Sequence, residues 1–385
     1  MPISLFLVIS SLLNDDKTLH HKRTLGISAR AQKVVARAHC IVFGACGNIA
    51  RLSRRIRRSP AHLHSFLMDM KNMKNPLVSI VLPTWNRSHL LEGALAGILQ
   101  QTYKNFEIIV ADDGSTDDTP QTMARLLKKF NDPRFRFLRS EKHVGGAAIR
   151  RMAMQEAKGE YIASQDDDDF WEPAFLEEQV RNLESLPHEY GLSYVAYWRC
   201  LSETKKVLMP SKHISPQSGD LYGGPILKNN YFPFQTGVFR REVLETIGYP
   251  DDELLALSDW DMWIRIAKKY KIAHIDKPLF TWNYTPKSNT RDPQKIWLVI
   301  NARKRILEKF REDIVRFGYF GDHMSRLADL LIQAGDLAQA RRYLLAGIRN
   351  KPLSFILWLK LATTFLGITG YQAAQHYRRT SHFLR

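Results

Sequence analysis

The chain has 385 residues, 44% of them hydrophobic and 11% aromatic, and this composition excludes a globally disordered protein. Its length allows one large domain with appendages, or two domains. The three cysteines, Cys40, Cys46 and Cys200, lack zinc-binding or redox spacing, which argues against a disulfide framework and fits a reducing compartment.

The net charge of +17 is concentrated at the two ends of the chain. Residues 1–75 contain 13 Lys/Arg and 3 Asp/Glu, residues 291–385 contain 17 and 7, and residues 76–290 contain 26 and 29. Basic flanks indicate an anionic partner, either a membrane surface or nucleic acid. Because no nucleic-acid-binding motif is recognisable, we expect an anionic membrane surface and no specific nucleic acid.

Residues 1–75 predict a basic N-terminal extension. The apolar segment at 2–13 is too short to span a bilayer and lacks the features of a signal peptide. Residues 30–58 mix apolar side chains with arginines, which is typical both of a helix lying on an anionic membrane and of a poorly ordered basic segment. The sequence favours neither.

Strand and helix patterns alternate from residue 76 onward. Apolar runs at 78–82, 106–111, 135–138 and 161–163 predict four strands, and helical spacing follows each of the first three. Ser88 is expected to cap the first helix. This alternation with short loops predicts an α/β fold with a mostly parallel sheet flanked by helices.

Four consecutive carboxylates, Asp166 to Asp169, follow the fourth strand and precede Phe170 and Trp171. Four like charges repel, so an ordered protein keeps them together only where something offsets the charge. A divalent cation, Mg²⁺ or Mn²⁺, would do so because these ions prefer carboxylate oxygens. The alternative is a solvated acidic turn.

Polar clusters follow three of the predicted strands, at 84–87, 112–113 and 166–169. In parallel α/β sheets, ligands bind beyond the carboxyl ends of the strands. The three clusters therefore predict one shared ligand site, which solvated turns would not produce.

A further pair of acids, Asp259 and Asp261, lies in a predicted helix with Ser258 as the expected cap. Two residues along a helix separate the carboxylates by about 200°, so at most one of them can face the site. The alternative is that both only complement the helix dipole.

The tail, residues 291–385, predicts helices with a partial tetratricopeptide-like register. The residues that carry this register are Gly335, Asp336, Leu337, Ala340, Leu344, Pro352, Trp358 and Phe365. Fewer than three repeats would not be stable alone, so we expect the tail to dock on the preceding domain. Residues 355–361 predict either a core helix or a helix on the membrane surface.

The motifs of residues 76–290, in this order, resemble the family 2 glycosyltransferases with the type A fold and its Rossmann-like nucleotide-binding half. The first is the strand and Pro-Thr-x-Asn-Arg turn at 78–87. It is followed by Asp-Asp-Gly-Ser-Thr-Asp at 112–117, the acidic run with Phe-Trp at 166–171, and Ser-Asp-Trp-Asp at 258–261. The resemblance implies a catalytic domain at 76–290 with a helical C-terminal extension.

The resemblance also implies roles for individual residues. Asp168 would be the metal ligand, with Asp166 on the metal or the nucleotide, and Asp259 would be the general base. The other residues implied in nucleotide-sugar binding are Pro83, Thr84, Asn86, Arg87, Asp112, Asp113 and Arg150. Of these, Asp113 would contact the nucleobase. Ser258 departs from the family's usual Glu, and His143 from its frequent Asn.

The implied activity is inverting transfer of one sugar, expected from a UDP-sugar, to a glycan or lipid-linked acceptor in cell-surface polysaccharide synthesis. The enzyme would be cytoplasmic and peripheral at the cytoplasmic membrane face. A nucleotidyltransferase and a non-catalytic membrane-surface scaffold are the alternatives. Four residues are expected either in an acceptor pocket or in the core: Tyr222, Phe232, Phe234 and Gln235.

Overall fold

The computed structural model describes residues 75–211, 213–215, 217–283 and 292–367, and the structural statements below concern these residues. The expectations for the N-terminal extension therefore lie outside the described residues. Among the helices that are described, none combines the length and apolar composition needed to cross a bilayer.

The first half of the sheet is parallel, as predicted. Its order is β3-β2-β1-β4, and a helix follows each of β1, β2 and β3. The strands are β1 (Val78–Thr84), β2 (Phe106–Asp112), β3 (Phe135–Arg139) and β4 (Tyr161–Ser164), and the helices are α1 (Ser88–Leu99), α2 (Thr119–Phe130) and α3 (Gly146–Gln155). Strands β1 and β2 are buried along most of their length, because helices cover both faces of a parallel sheet.

Antiparallel pairs extend the sheet beyond β4 in the order β8-β6-β9-β5, with β7 beside β6. Strands β6 and β9 are parallel to each other. The added elements are β5 (Phe170–Trp171), α4 (Phe175–Glu184), β6 (Tyr190–Cys200), β7 (Lys206–Met209), β8 (Gly237–Arg240), α5 (Val243–Ile247), α6 (Ser258–Ala267) and β9 (Lys271–Trp282). The predicted α/β fold with a mostly parallel sheet and a helical extension is confirmed.

Neither predicted serine cap is formed. Arg87 occupies the N-cap of α1, and Leu257, at φ +58°, occupies that of α6. The Ser88 hydroxyl instead donates to Asp118 in the neighbouring loop. In both places the helix begins at the serine itself, one residue earlier than predicted.

The tail helices pack against the sheet domain. The Tyr319 hydroxyl donates to the Gly223 carbonyl (3.0 Å), His323 Nε2 lies 3.0 Å from the Leu227 carbonyl, and Lys268 forms an ion pair with Asp313 (2.8 Å). The helices are α7 (Ile296–Lys309), α8 (Arg311–Arg316), α9 (Phe320–Gln333), α10 (Leu337–Asn350) and α11 (Phe355–Thr363). These contacts are those expected of a docked tail, while the tetratricopeptide-like register and the domain boundaries stay predictions.

Candidate active site

The ends of β1, β2 and β4 meet at one edge of the sheet. Backbone bonds join them there, with the Asp113 amide donating to the Thr84 carbonyl and the Gln165 amide to the Val81 carbonyl, both at 2.9 Å. The three polar clusters singled out in the sequence therefore lie side by side.

The turn after β1 is fixed by Asn86, whose φ of +52° is in the left-handed region that Asn tolerates better than most residues. Its side-chain oxygen accepts from the Thr116 amide (2.7 Å), and its backbone amide donates to the Ser115 hydroxyl (2.8 Å). Asn86 thus ties the Pro83–Arg87 turn to the loop after β2.

The side chains of Asp112 and Asp113 fix the loops that follow β2 and β3 at the same edge of the sheet. Buried Asp112 accepts from the Ser115 amide (2.9 Å) and forms an ion pair with Arg139 (3.2 Å). Asp113 accepts from the amides of Val144 (2.6 Å) and Gly145 (2.9 Å).

An aromatic stack lies beside Asp113. The Trp85 indole lies parallel to the His143 imidazole, with ring centroids 4.0 Å apart, and His143 Nδ1 is 2.9 Å from Asp113 Oδ2. Both rings are exposed, so this edge offers a flat apolar surface next to a carboxylate.

Asp167, the second acid of the run, binds residues of the turn after β1. It accepts from the Thr84 hydroxyl (2.8 Å) and from Arg87 Nη1 (2.8 Å), and burial raises the pKa of its carboxyl to about 6. Asp167 thus joins the turn after β1 to the acidic loop.

The remaining three acids converge. One carboxylate oxygen from each of Asp166, Asp168 and Asp169 lies within 4.8 Å of the other two. Burial, together with repulsion from Asp166 and Asp168, raises the pKa of Asp169 well above its usual range. A hard divalent cation would relieve this repulsion, so the donor set fits Mg²⁺ or Mn²⁺.

Arginines flank the three acids. Arg87 Nη1 lies 3.1 Å from Asp168 Oδ2, and Arg150 contacts Asp166 while its guanidinium lies over the Phe234 ring at 5.5 Å. Gln235 donates to the other oxygen of Asp166. The orientation of Asp166 is therefore fixed from both sides.

Asp259 lies in the first turn of α6, where it accepts from the Trp260 amide (2.8 Å) and from Asn230 Nδ2 (2.9 Å). Burial raises the pKa of its carboxyl, and it is close enough to Arg150 and Asp166 to feel both charges. The second acid of the pair, Asp261, binds Arg265 (2.8 Å) and Lys309 (2.6 Å). The two carboxylates therefore have different partners: Asp259 is bound by Asn230, and Asp261 by Arg265 and Lys309.

A residue of the tail reaches the surroundings of Asp259. Arg303 of α7 is buried, its guanidinium stacks on the Trp260 ring at 4.7 Å, and its Nη2 lies 3.5 Å from Asn229 Oδ1. Neither Asn230 nor Arg303 was identified from the sequence. Of the four residues left open between acceptor pocket and core, Phe232 and Phe234 are buried, Gln235 contacts Asp166, and Tyr222 contacts Asp313 of the tail.

The fold is that of the type A class of glycosyltransferases, and the comparisons with known proteins agree. The profile of Glycosyl transferase family 2 matches residues 79–248. A mannosyltransferase structure from Pyrobaculum calidifontis, solved with GDP-Man and Mn²⁺, is 16% identical with a TM-score of 0.51, covering 89% of this chain and 98% of that one. At this identity the likeness concerns the fold alone.

Two Escherichia coli relatives extend the comparison to sequence. Both carry the name UDP-Glc:alpha-D-GlcNAc-diphosphoundecaprenol beta-1,3-glucosyltransferase. WfgD is 30% identical over 204 residues, covering 53% of this chain and 75% of its own, and WfaP is 30% identical over 193 residues, covering 50% and 71%. The chain belongs to glycosyl transferase family 2.

Proposed function

We propose that this glycosyltransferase is cation-dependent and inverting, and that it moves one sugar from a nucleotide diphosphate sugar to a hydroxyl of a lipid-linked glycan. The observation that carries the proposal is the pairing of two carboxylate centres. Asp166, Asp168 and Asp169 converge at the sheet edge, and Asp259 of α6 lies close enough to Asp166 for that charge to add to the effect of burial on its pKa.

The donor would bind along the edge formed by β1, β2 and β4. Asp168, with Asp166 and Asp169, would hold the cation, which when bound offsets the charge that develops on the leaving diphosphate. Asp113 and the Trp85–His143 stack offer a hydrogen-bond acceptor and an apolar plane suited to a nucleobase. This edge is supported through the contacts described above by Thr84, Asn86, Arg87, Asp112 and Arg150. Pro83 lies in β1, opposite Ala111 of β2.

Asp259 would act on the acceptor. The acceptor oxygen attacks the anomeric carbon from the face opposite the diphosphate, and its proton passes to Asp259. The bond between the anomeric carbon and the diphosphate oxygen breaks, and its electron pair leaves with the nucleoside diphosphate. A single displacement of this kind inverts the configuration at the anomeric carbon.

The proposed acceptor and cellular location rest on the names of the relatives and on the positive charge of the two chain ends. WfgD and WfaP, by their names, transfer glucose from UDP-Glc to a sugar on diphosphoundecaprenol. A lipid-linked acceptor is presented at a membrane surface, and both ends of this chain are basic. We therefore place the enzyme in surface polysaccharide synthesis, peripheral at the cytoplasmic face of the membrane. Family membership favours glycosyl transfer over the nucleotidyltransferase and scaffold alternatives.

A donor screen tests the proposal. The purified chain is incubated with single nucleotide sugars, a diphosphate-lipid-linked acceptor and Mn²⁺ or Mg²⁺, and both glycosylated acceptor and nucleoside diphosphate are quantified. We expect one donor, a UDP-sugar, to yield equimolar amounts of the two products, and chelation by EDTA to remove both. Transfer that is unaffected by EDTA would contradict the cation requirement. Release of pyrophosphate from a nucleoside triphosphate and a sugar phosphate would contradict the reaction class.

A further inference from the structure

The end of the described tail exposes a concentration of apolar side chains. Of the sixteen large hydrophobic residues exposed in the described part of the chain, seven lie between residues 353 and 366. We call them the apolar face, and they are Leu353, Phe355, Ile356, Trp358, Leu359, Phe365 and Leu366. Leu353 is 97% exposed, Phe355 74% and Trp358 50%. Soluble proteins rarely expose so many apolar side chains together without a partner.

The fold uses the opposite side of α11. Leu357 is its buried apolar residue, and Lys360 turns inward to donate to Asp329 and Ser325, both at 2.7 Å. The Trp358 indole nitrogen donates to the Pro352 carbonyl at 2.9 Å. Because its one polar group is satisfied locally, the exposed indole presents mainly apolar surface.

The exposed charge beside the apolar face is positive. Residues 337–367 contain five basic residues and no acidic residue, and two of the five, Lys351 and Lys360, pair with Asp322 and Asp329 of α9. Arg341 lies over the Phe365 ring at 4.2 Å, so a cation touches the apolar face directly, and Arg342 and Arg349 of α10 are exposed. Apolar and aromatic side chains with exposed arginines beside them match the headgroup boundary of an anionic bilayer.

We propose that the apolar face seats the enzyme on an anionic membrane, with Phe355 and Trp358 entering the boundary between headgroups and acyl chains. This inference rests on the proposed function, because a lipid-linked acceptor brings the enzyme to that surface. The exposed arginines beside the apolar face favour anionic lipid over a neutral protein partner. The rival occupant is residues 368–385 of this same chain.

Vesicle co-sedimentation of the full chain, without nucleotide sugar, tests the proposal. We expect binding to vesicles of equal parts phosphatidylglycerol and phosphatidylcholine, and weak binding to phosphatidylcholine alone. The double variant Phe355→Glu/Trp358→Glu should lower the partition coefficient on anionic vesicles at least about tenfold, because it removes two interfacial anchors and adds negative charge. The matched control Leu208→Glu/Val315→Glu alters two exposed apolar residues elsewhere and should bind like the unaltered chain.

Two results would overturn the proposal. One is a double variant that binds anionic vesicles as well as the unaltered chain does. The other is no vesicle binding by the unaltered chain, combined with a lower melting temperature of the double variant, which would show that the chain covers its own apolar face. Transfer to a soluble short-chain acceptor is measured separately, and its loss or retention reports on the proposed function alone.

Discussion

Replacing Asp168 with Asn is expected to lower the rate of sugar transfer by about a thousandfold or more, because a bound cation contributes several kcal/mol of transition-state stabilisation and each 1.36 kcal/mol is a factor of ten. Asp168 is one of the three acids with converging oxygens, and the arginine beside it, Arg87, supplies one positive charge. The second flanking arginine, Arg150, adds one more, and two guanidiniums cannot neutralise both the cluster and a diphosphate. Initial rates at saturating Mn²⁺ measure the effect.

The same variant should also lose the increase in melting temperature that Mn²⁺ gives the unaltered chain, since a ligand that binds the folded state raises its stability. Asp252→Asn is the matched control, because Asp252 is an exposed carboxylate paired with Arg151 outside the cluster. It should retain both the transfer rate and the Mn²⁺ response. An Asp168→Asn enzyme within about threefold of the unaltered rate would remove Asp168 from the metal site, since a lost ligand costs far more than that.

The Asp259→Asn variant should lower kcat by about 10²- to 10⁴-fold, the usual contribution of a general base, and leave the KM for the donor nearly unchanged. The amide keeps the size of the carboxylate and one oxygen for the bond from the Trp260 amide, so the fold should persist. It cannot accept the acceptor's proton. Steady-state kinetics with separately varied donor and acceptor measure both constants.

Asp261→Asn is the contrasting control, two residues further along the same helix. Asp261 is fully buried and binds Arg265 and Lys309, so its loss should lower the free energy of unfolding by roughly 3 kcal/mol while the folded enzyme keeps its kcat. The two variants should thus separate chemistry from stability. A larger kcat loss in Asp261→Asn than in Asp259→Asn would contradict the assignment of the base.

The pH dependence follows from the direction of the Asp259 shift. Burial raises the pKa of this carboxyl, so it takes up a proton at a higher pH than an exposed aspartate does. Only the ionised form accepts a proton, and kcat should therefore fall as the pH decreases through this raised pKa. The residual activity of Asp259→Asn should lack that acid limb.

The features that could be predicted from the sequence are those that depend on the periodicity of apolar residues and on the order of strands and helices. Strands at 78–82, 106–111 and 161–163 could be identified from their apolar runs, and parallel alternation placed their ends together. The divergence of Asp259 and Asp261 likewise follows from helix geometry alone. These features are local, or follow from rules of connection that hold for any α/β sheet.

The contacts that complete the site could not be predicted, because they join residues far apart in the chain. Gln235 reaches Asp166 across 69 residues, and Arg303 reaches Asn229 across 74. Neither residue belongs to a motif or a periodic pattern. The contacts of Asp167 could not be predicted either, because four identical side chains in a row differ only in the partners that the fold provides.

The configuration of the transferred sugar tests the central claim most directly. The product made by the unaltered chain with Mn²⁺ would be examined by NMR, using the one-bond carbon–proton coupling at the anomeric carbon. In the proposed mechanism the cation-binding cluster holds the leaving diphosphate, and one base acts on the opposite face of the sugar. This arrangement predicts an anomeric configuration opposite to that in the donor. A product with the donor's own configuration would contradict single displacement and the role of Asp259 as its base.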